Sequence, residues 1–318
     1  MSFSEKRYIG VALNGSSVKA VELAIGGTVK AKAVAEAKIT PEIFNGGAAF
    51  NPQLLGELLR KMFKENGFSD APLSFGIKNQ NMIIRLANFP NVPSDKIASV
   101  VELQAQQFIP VPINDLNMDF IAYDPISQNG NSVIPVLLVC ARKTHINSIM
   151  AAATLTPNEI INIDAGILSM VRAAKGHING VTLIMDIDEE AINITVVEGE
   201  TILLVRTVLL QQEFINYVNQ FKNNPDSNEM IVKMAEYIYT DLHGSIMYFK
   251  NSYGSSKEIN KILICGDTKY LDKCVAIIQQ NTDIEVSVPI LFGNLNDIDL
   301  GVRLKYAECI GLALGAEG

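Results

Sequence analysis

The sequence predicts an α/β protein of two related lobes, with an inserted α+β subdomain in the first. Three observations predict it. A strand–turn–strand phrase is written twice: Tyr8-Ile-Gly-Val-Ala-Leu-Asn-Gly-Ser-Ser-Val-Lys-Ala-Val-Glu-Leu, and Leu183-Ile-Met-Asp-Ile-Asp-Glu-Glu-Ala-Ile-Asn-Ile-Thr-Val-Val. Each copy is an apolar strand, a short polar turn and a second strand rich in β-branched residues, which is a hairpin pattern. Each is followed by a third strand, helical segments and a further strand, so the halves share one plan. Between the copies lies a turn-bounded block, 79–155, with strands and a helix of its own. The lobes are therefore placed at 1–180 and 181–318.

The elements follow in order. A third strand covers Val29 to Lys38. Asn51 serves as a helix cap and Pro52 as the first helical residue. Leu54, Leu55, Leu58, Leu59, Met62 and Phe63 then form one apolar stripe that Gly67 stops. Leu73 to Ile77 closes the unit as a strand. The insertion opens with a strand at Met82 to Phe89 and a helix from a Ser94 cap to Phe108. Strands at Asn117 to Tyr123 and Val133 to Ala141 and a short helix after Lys143 complete it. Its borders, Lys78-Asn-Gln-Asn and Thr154-Leu-Thr-Pro-Asn, are turn-rich. The chain returns through strand Ile160 to Asp164 and helix Gly166 to Lys175.

In the second lobe, strands span Thr182 to Ile187, Ala191 to Glu198 and Thr201 to Val208, with a helix from Glu213 to Phe221. Asn223-Asn-Pro-Asp-Ser makes a turn. The long helix beyond it carries Met230, Met234, Ile238, Leu242, Ile246 and Phe249 on one face. Strand Lys261 to Cys265, a turn at Gly266-Asp-Thr, helix Leu271 to Gln280, strand Glu285 to Val288 and a helix near Lys305 to Leu314 finish the lobe.

Composition narrows the function. With 48% apolar and 19% charged residues, a chain of 318 residues can bury two ordinary cores and is not disordered. A net charge of −8 argues against nucleic acid as a partner, since phosphate contacts need clustered Lys and Arg. Met1-Ser-Phe-Ser-Glu-Lys-Arg lacks the apolar stretch of a secretory signal. The apolar runs fall short of the roughly 20 residues that span a bilayer. The expectation is a cytoplasmic protein that reaches a membrane only through a partner. Cys140, Cys265, Cys274 and Cys309 form no Cys-x-x-Cys pair and read as reduced, buried thiols. His145, His177 and His243 are isolated, so neither a metal site nor a histidine-based catalytic set is expected.

Three strands, a helix, a strand and a helix, repeated in two halves, resembles the plan of the actin-like ATPase fold. Ala105-Gln-Gln-Phe-Ile-Pro-Val-Pro followed by Leu116-Asn-Met-Asp-Phe closely resembles the signature of the type IV pilus assembly protein PilM family, which is related to FtsA. Ile83-Ile-Arg, Val136-Leu-Leu-Val-Cys-Ala-Arg-Lys, Ile163-Asp-Ala-Gly-Ile-Leu-Ser-Met, Leu242-His-Gly-Ser-Ile-Met-Tyr-Phe and Ile310-Gly-Leu-Ala-Leu-Gly extend the likeness over nearly the whole chain. The resemblance implies a cytoplasmic scaffold at the inner face of the inner membrane. Its implied partners are the N-terminal tail of a PilN-like inner-membrane protein and the pilus assembly motor ATPase. The cytoplasmic part of type II secretion platforms shares the fold, so a related secretion or competence machine is an open alternative setting.

The sequence departs from the family where nucleotide binds. Ala12 and Asn14 replace the Asp and Gly of the first loop, and Asp188-Glu189-Glu190 replace the small residues of the second. Phosphate cradles need small residues, because backbone N–H groups must approach the oxygens. Asn14, Gly15, Ser16, Ser17 and Lys19, with Asp186 and Gly266, are then either a vestigial nucleotide site or ordinary turns. Asp186 is the one anchor left for Mg²⁺, and Asp188 to Glu190 read as a solvated turn. Neither ATP nor Mg²⁺ is expected as a cofactor, and no ATPase activity is expected.

The second candidate site is Arg85, Gln104, Gln107, Phe108, Ile109 and Pro110. Ile97, Val100, Val101, Gln104 and Phe108 share one helical stripe, which Pro110 and Pro112 end. Such a stripe either fills the subdomain core or, as the resemblance implies, lines a groove for the partner peptide, with Arg85 and Lys78 as surface charges nearby. An active actin-fold ATPase or sugar-kinase-like enzyme is the alternative reading. An FtsA-type filament protein is a third.

Overall fold

The computed structural model describes residues 5–316 apart from 15, 45, 47–48, 79–81, 129, 189–190, 222–226, 267–270, 293–294 and 296–298. In the first lobe β1 (Lys6–Leu13), β2 (Ser17–Ile25) and β3 (Val29–Lys38) form an antiparallel meander. Helix α1 (Pro52–Glu65) crosses over, and β4 (Leu73–Ile77) returns parallel to β1. The inserted subdomain follows as β5 (Met82–Pro90), α2 (Ser94–Gln104), β6 (Leu116–Ala122), β7 (Ile126–Gln128) and β8 (Asn131–Arg142). Helix α3 (Lys143–Ala153) leads back to β9 (Ile160–Ala165), parallel to β4, and to α4 (Gly166–Ala174).

The second lobe repeats the plan with β10 (Val181–Ile187), β11 (Ala191–Glu198), β12 (Thr201–Leu209), α5 (Gln212–Gln220), α6 (Asn228–Tyr253), β13 (Lys261–Gly266), α7 (Leu271–Gln279) and β14 (Glu285–Ser287). Two last helices follow, α8 (Leu300–Lys305) and α9 (Ala307–Gly315). The strand orders, β3-β2-β1-β4-β9 and β12-β11-β10-β13-β14, are the same topology twice.

Alternation along the strands explains the layers. On β1 and β2, Ile9, Val11, Leu13, Val18 and Ala20 face α1 and α3. Val21, Leu23 and Ile25 face the opposite way, onto Ile310 and Ala313 of α9. Covered on both faces, β2 is buried throughout, and its two charged residues are paired, Lys19 with Glu36 and Glu22 with Arg7. Gly10 is required here: a Cβ would stand 1.8 Å from the Cys309 carbonyl oxygen. In the second lobe, Met230, Met234, Ile238 and Leu242 of α6 cover one face of the sheet. On the other face Ile184 and Leu263 join Ile167, Met170 and Ala174 of α4, so α4 lies between the lobes.

Asn51 caps α1 through an Oδ1 that accepts from the Leu54 N–H at 3.2 Å, with Pro52 beside it. Other expectations are corrected. Ser94 is the first residue of α2 rather than its cap, and Pro93 at the cap position has no side-chain hydroxyl to donate or accept. The helix stops at Gln104 and tightens to a 3₁₀ turn at Ala105–Gln107. The terminal helix is two, broken at Tyr306. Chain order also misplaces two helices. Although in the 181–318 segment, α9 packs on β1, β2, β4 and α4 of the first lobe; α3, within 79–155, packs on α1. The turn expected at 223–226 lies outside the described residues.

Candidate functional site

The ends of β1 and β10 face each other across the lobes. Asn14 Nδ2, just beyond β1, donates to Asp188 Oδ1, just beyond β10, at 3.0 Å. Beneath them lies a cluster with two members that sequence reasoning did not place there. Lys78, which follows β4, aims its Nζ 2.7 Å from Asp186 Oδ2 and 2.8 Å from Glu308 Oε2 on α9. Burial alone would pull the Lys78 ammonium down. The carboxylates of Asp186 and Glu308 outweigh that and hold it well above the usual lysine value. For Glu308 burial dominates and pushes its carboxyl up, against the pull of Lys78.

The seat of Glu308 is shaped by glycines. A Cβ at Gly76 would come 2.6 Å from Glu308 Oε1, and one at Gly166 2.1 Å from the same atom and 2.6 Å from Lys78 Cγ. Around this ion cluster Ala12, Asn14, Lys19, Asp186, Asp188 and Gly266 enclose about 20 Å³. That is the room of about one water molecule.

Of the residues expected at a nucleotide site, Asn14, Lys19, Asp186 and Gly266 thus meet at the cleft. Lys19 is buried, with Nζ 3.9 Å from Glu36 Oε1. Ser17 is buried in the hairpin, whose Asn14 N–H donates to the Ser17 carbonyl at 2.9 Å, and the Ser16 carbonyl accepts from Ile39. Gly15, Glu189, Glu190, Asp267 and Thr268 lie outside the described residues. Asp186, the expected anchor for any Mg²⁺, bonds the Lys78 ammonium. Asp188, expected in a solvated turn, is half-buried and accepts from Asn14 across the cleft. Lys78 is not a surface charge beside Arg85 but is buried between the lobes. The signal for Glu308 was present: it is the one acid in the apolar run Ala307-Glu-Cys-Ile-Gly-Leu-Ala-Leu.

A larger space lies elsewhere. A groove of about 390 Å³ runs between β6 of the subdomain and the β9–α4 segment of the first lobe. Both strands end their sheets. The walls are mainly apolar, with Met82, Met118, Phe120, Ile121, Ile163 and Leu168, and Ile121 is 41% exposed. The ion pair of Arg172 and Asp164 supplies charge to the lining.

The six residues expected to bind a peptide do not line this groove. Arg85 is exposed and folds back onto the Ile84 carbonyl. Gln104 is half-buried, and Gln107 and Pro110 are exposed. Phe108 packs on Phe89 with ring centroids 5.2 Å apart, and Ile109, 3% exposed, lies in the subdomain core with Val101 and Leu116. The cause is Gln106. Its side chain donates to the carbonyls of Ile109 and Val111 and accepts from the Ile113 N–H, pinning the Pro110–Pro112 turn with Ile109 inward. The motif therefore builds the subdomain, and the groove opens beside β6.

Among the described residues no helix is long and apolar enough to cross a membrane, and no group of three His, Cys, Asp or Glu side chains could hold a metal. The family model described as type IV pilus assembly protein PilM matches residues 10–305. The solved PilM–PilN type IV pilus biogenesis complex contains a chain similar to this one, at 17% identity and a TM-score of 0.82 over 99% of each chain. The ethanolamine utilization protein EutJ from Carboxydothermus hydrogenoformans is similar at 11% identity and a TM-score of 0.51, over 99% of this chain and 91% of that one. No curated protein matches the sequence. The fold is the actin-like ATPase fold.

Proposed function

The chain belongs to the type IV pilus assembly protein PilM family, and from that premise we propose a scaffold at the cytoplasmic face of the inner membrane that docks the N-terminal tail of a PilN-like membrane protein. The groove between β6 and β9 carries this reading. An extended peptide laid there can pair its backbone with an open strand edge while its apolar side chains enter between Met118, Phe120, Ile121 and Leu168. Main-chain bonds give affinity and the side-chain pockets give selectivity. The similar chain solved with PilN supports the choice of partner. The pilus assembly motor ATPase is proposed as a second partner on the same side of the membrane.

In this reading the cleft does not take Mg–ATP and the protein is not an ATPase. A magnesium ion would need Asp186, which already bonds Lys78 at 2.7 Å. The room left beside that ion pair is about that of one water molecule.

Isothermal titration of the folded protein with a synthetic PilN-type tail tests the docking. One peptide per chain is expected, and Ile121→Glu should bind at least roughly tenfold more weakly with an unchanged Tm, since Ile121 is partly exposed. A folded wild type that gives no heat and captures no full-length PilN-like protein rejects the proposal. A large, saturable Tm rise with Mg–ATP would instead favour an active actin-fold ATPase.

A further inference from the structure

We propose that the Lys78 ammonium is a built-in cation that clasps the two lobes together at the cleft, so that their closure requires neither metal nor nucleotide. The inference rests on the reading of the cleft as closed to Mg–ATP and is independent of the peptide groove.

The geometry spans the lobes. Lys78 extends from the end of β4 in the first lobe, and Asp186 stands at the end of β10 in the second. Their 2.7 Å contact is therefore a bond between lobes. Glu308, on a helix packed against the first lobe, takes another Nζ hydrogen at 2.8 Å and fixes the ammonium from its own side. The side chains of Lys78, Asp186 and Glu308 are only 4%, 10% and 8% exposed. Removing one partner of such a buried set leaves an uncompensated charge, which is costly, whereas a surface pair contributes little. Asn14 and Asp188 add a second polar tie between the same turns.

The site is built for this cation. Gly76 and Gly166 leave the space that the Glu308 carboxylate and the Lys78 stem fill. Carboxylates at the bases of such loops suit a divalent ion and its waters. Here one ammonium, delivered on a side chain, supplies positive charge to the same oxygens. Its stem ties it to the first lobe, so it is always at hand and the closed arrangement does not depend on a ligand. A scaffold gains from that: α4, which carries Leu168 and Arg172 of the groove, is held between the lobes whatever the nucleotide level.

The test is an interlobe distance. Lys64 on α1 and Lys250 on α6 are exposed, so Lys64→Cys and Lys250→Cys take spin labels while the buried native thiols do not. Double electron–electron resonance on the wild-type background should give one narrow distance distribution that Mg–ATP leaves unchanged. Asp186→Asn, which keeps the Lys78–Glu308 pair, and Lys78→Met should broaden it or shift it to longer distance. If both variants retain the narrow distribution, the clasp is refuted while the cleft remains closed to nucleotide. If Mg–ATP moves the wild-type distribution, the cleft reading and the clasp fail together. Should Lys78→Met not fold, Asp186→Asn and the wild-type titration decide alone.

Discussion

Replacing Lys78 by Met keeps most of the buried stem and removes the charge. At separations of 2.7 and 2.8 Å, each carboxylate attracts the ammonium by about 6 kcal/mol at an effective dielectric of about 20. Desolvation of all three groups offsets most of this, so the net loss expected on removing one partner of a buried cluster is about 3–5 kcal/mol. For a chain of this length that lowers Tm by roughly 6 °C. The variant also acquires a characteristic pH dependence. Burial already pushes the Glu308 carboxyl up, and losing Lys78 raises it further. A carboxyl whose folded pKa lies above its unfolded value binds more protons when folded, so stability increases as pH falls through that folded pKa. The Tm deficit of Lys78→Met should accordingly be smaller at pH 5.5 than at pH 7.5. Adding Glu308→Gln should recover part of it at neutral pH. Differential scanning calorimetry across this range measures both. A Tm within 1 °C of wild type at neutral pH, or a deficit that does not vary with pH, would refute the reasoning.

Other outcomes follow from the packing. Gly10→Ala would put a Cβ 1.8 Å from the Cys309 carbonyl oxygen, and because the obstacle is backbone it should lower thermal stability by more than about 3 kcal/mol, as read by denaturant melts. Ile109→Ala should destabilise the fold by about 2–4 kcal/mol, because Ile109 is a core residue. Any effect of it on peptide affinity should disappear once the titration is run on fully folded protein. Burial pushes the Cys140 and Cys274 thiols up to about 11 and Cys309 up to about 12. Their thiolate fraction at pH 8 is then roughly one in a thousand or less, so a thiol reagent should react quickly only after denaturant is added. Those raised thiols keep their protons longer in the folded state, so stability should be lost as pH rises above about 9, an alkaline fall in Tm that scanning fluorimetry detects.

Most of the frame was readable in the sequence. The duplicated hairpin and the Asn51–Pro52 start of α1 announce themselves through local rules, alternation and capping, and both formed as expected. The ion cluster was not readable, because it joins residues 108 positions apart, Lys78 and Asp186, and brings in Glu308 from the far end of the chain. Lys78 sits in a polar, turn-like stretch, where a lysine ordinarily reaches water. The groove was legible only as to its subdomain. The signature around Phe108 marked that unit, yet periodicity could not separate the inward face from an open one. Gln106, bonded to backbone on both sides of the proline turn, decided the matter.

The position of α9 bears on the order in which the molecule assembles. Its residues Cys309, Ile310 and Ala313 cover Val21 and Leu23, which emerge from the ribosome almost 300 residues earlier. Until Ala307–Gly315 arrives, the part of β1 and β2 that α9 covers lacks its helix, and a nascent chain must wait with those apolar residues showing. Synthesis should thus finish the sheet of the second lobe before that of the first, and a block to translation near residue 300 should leave the earlier half of the protein the more prone to aggregate.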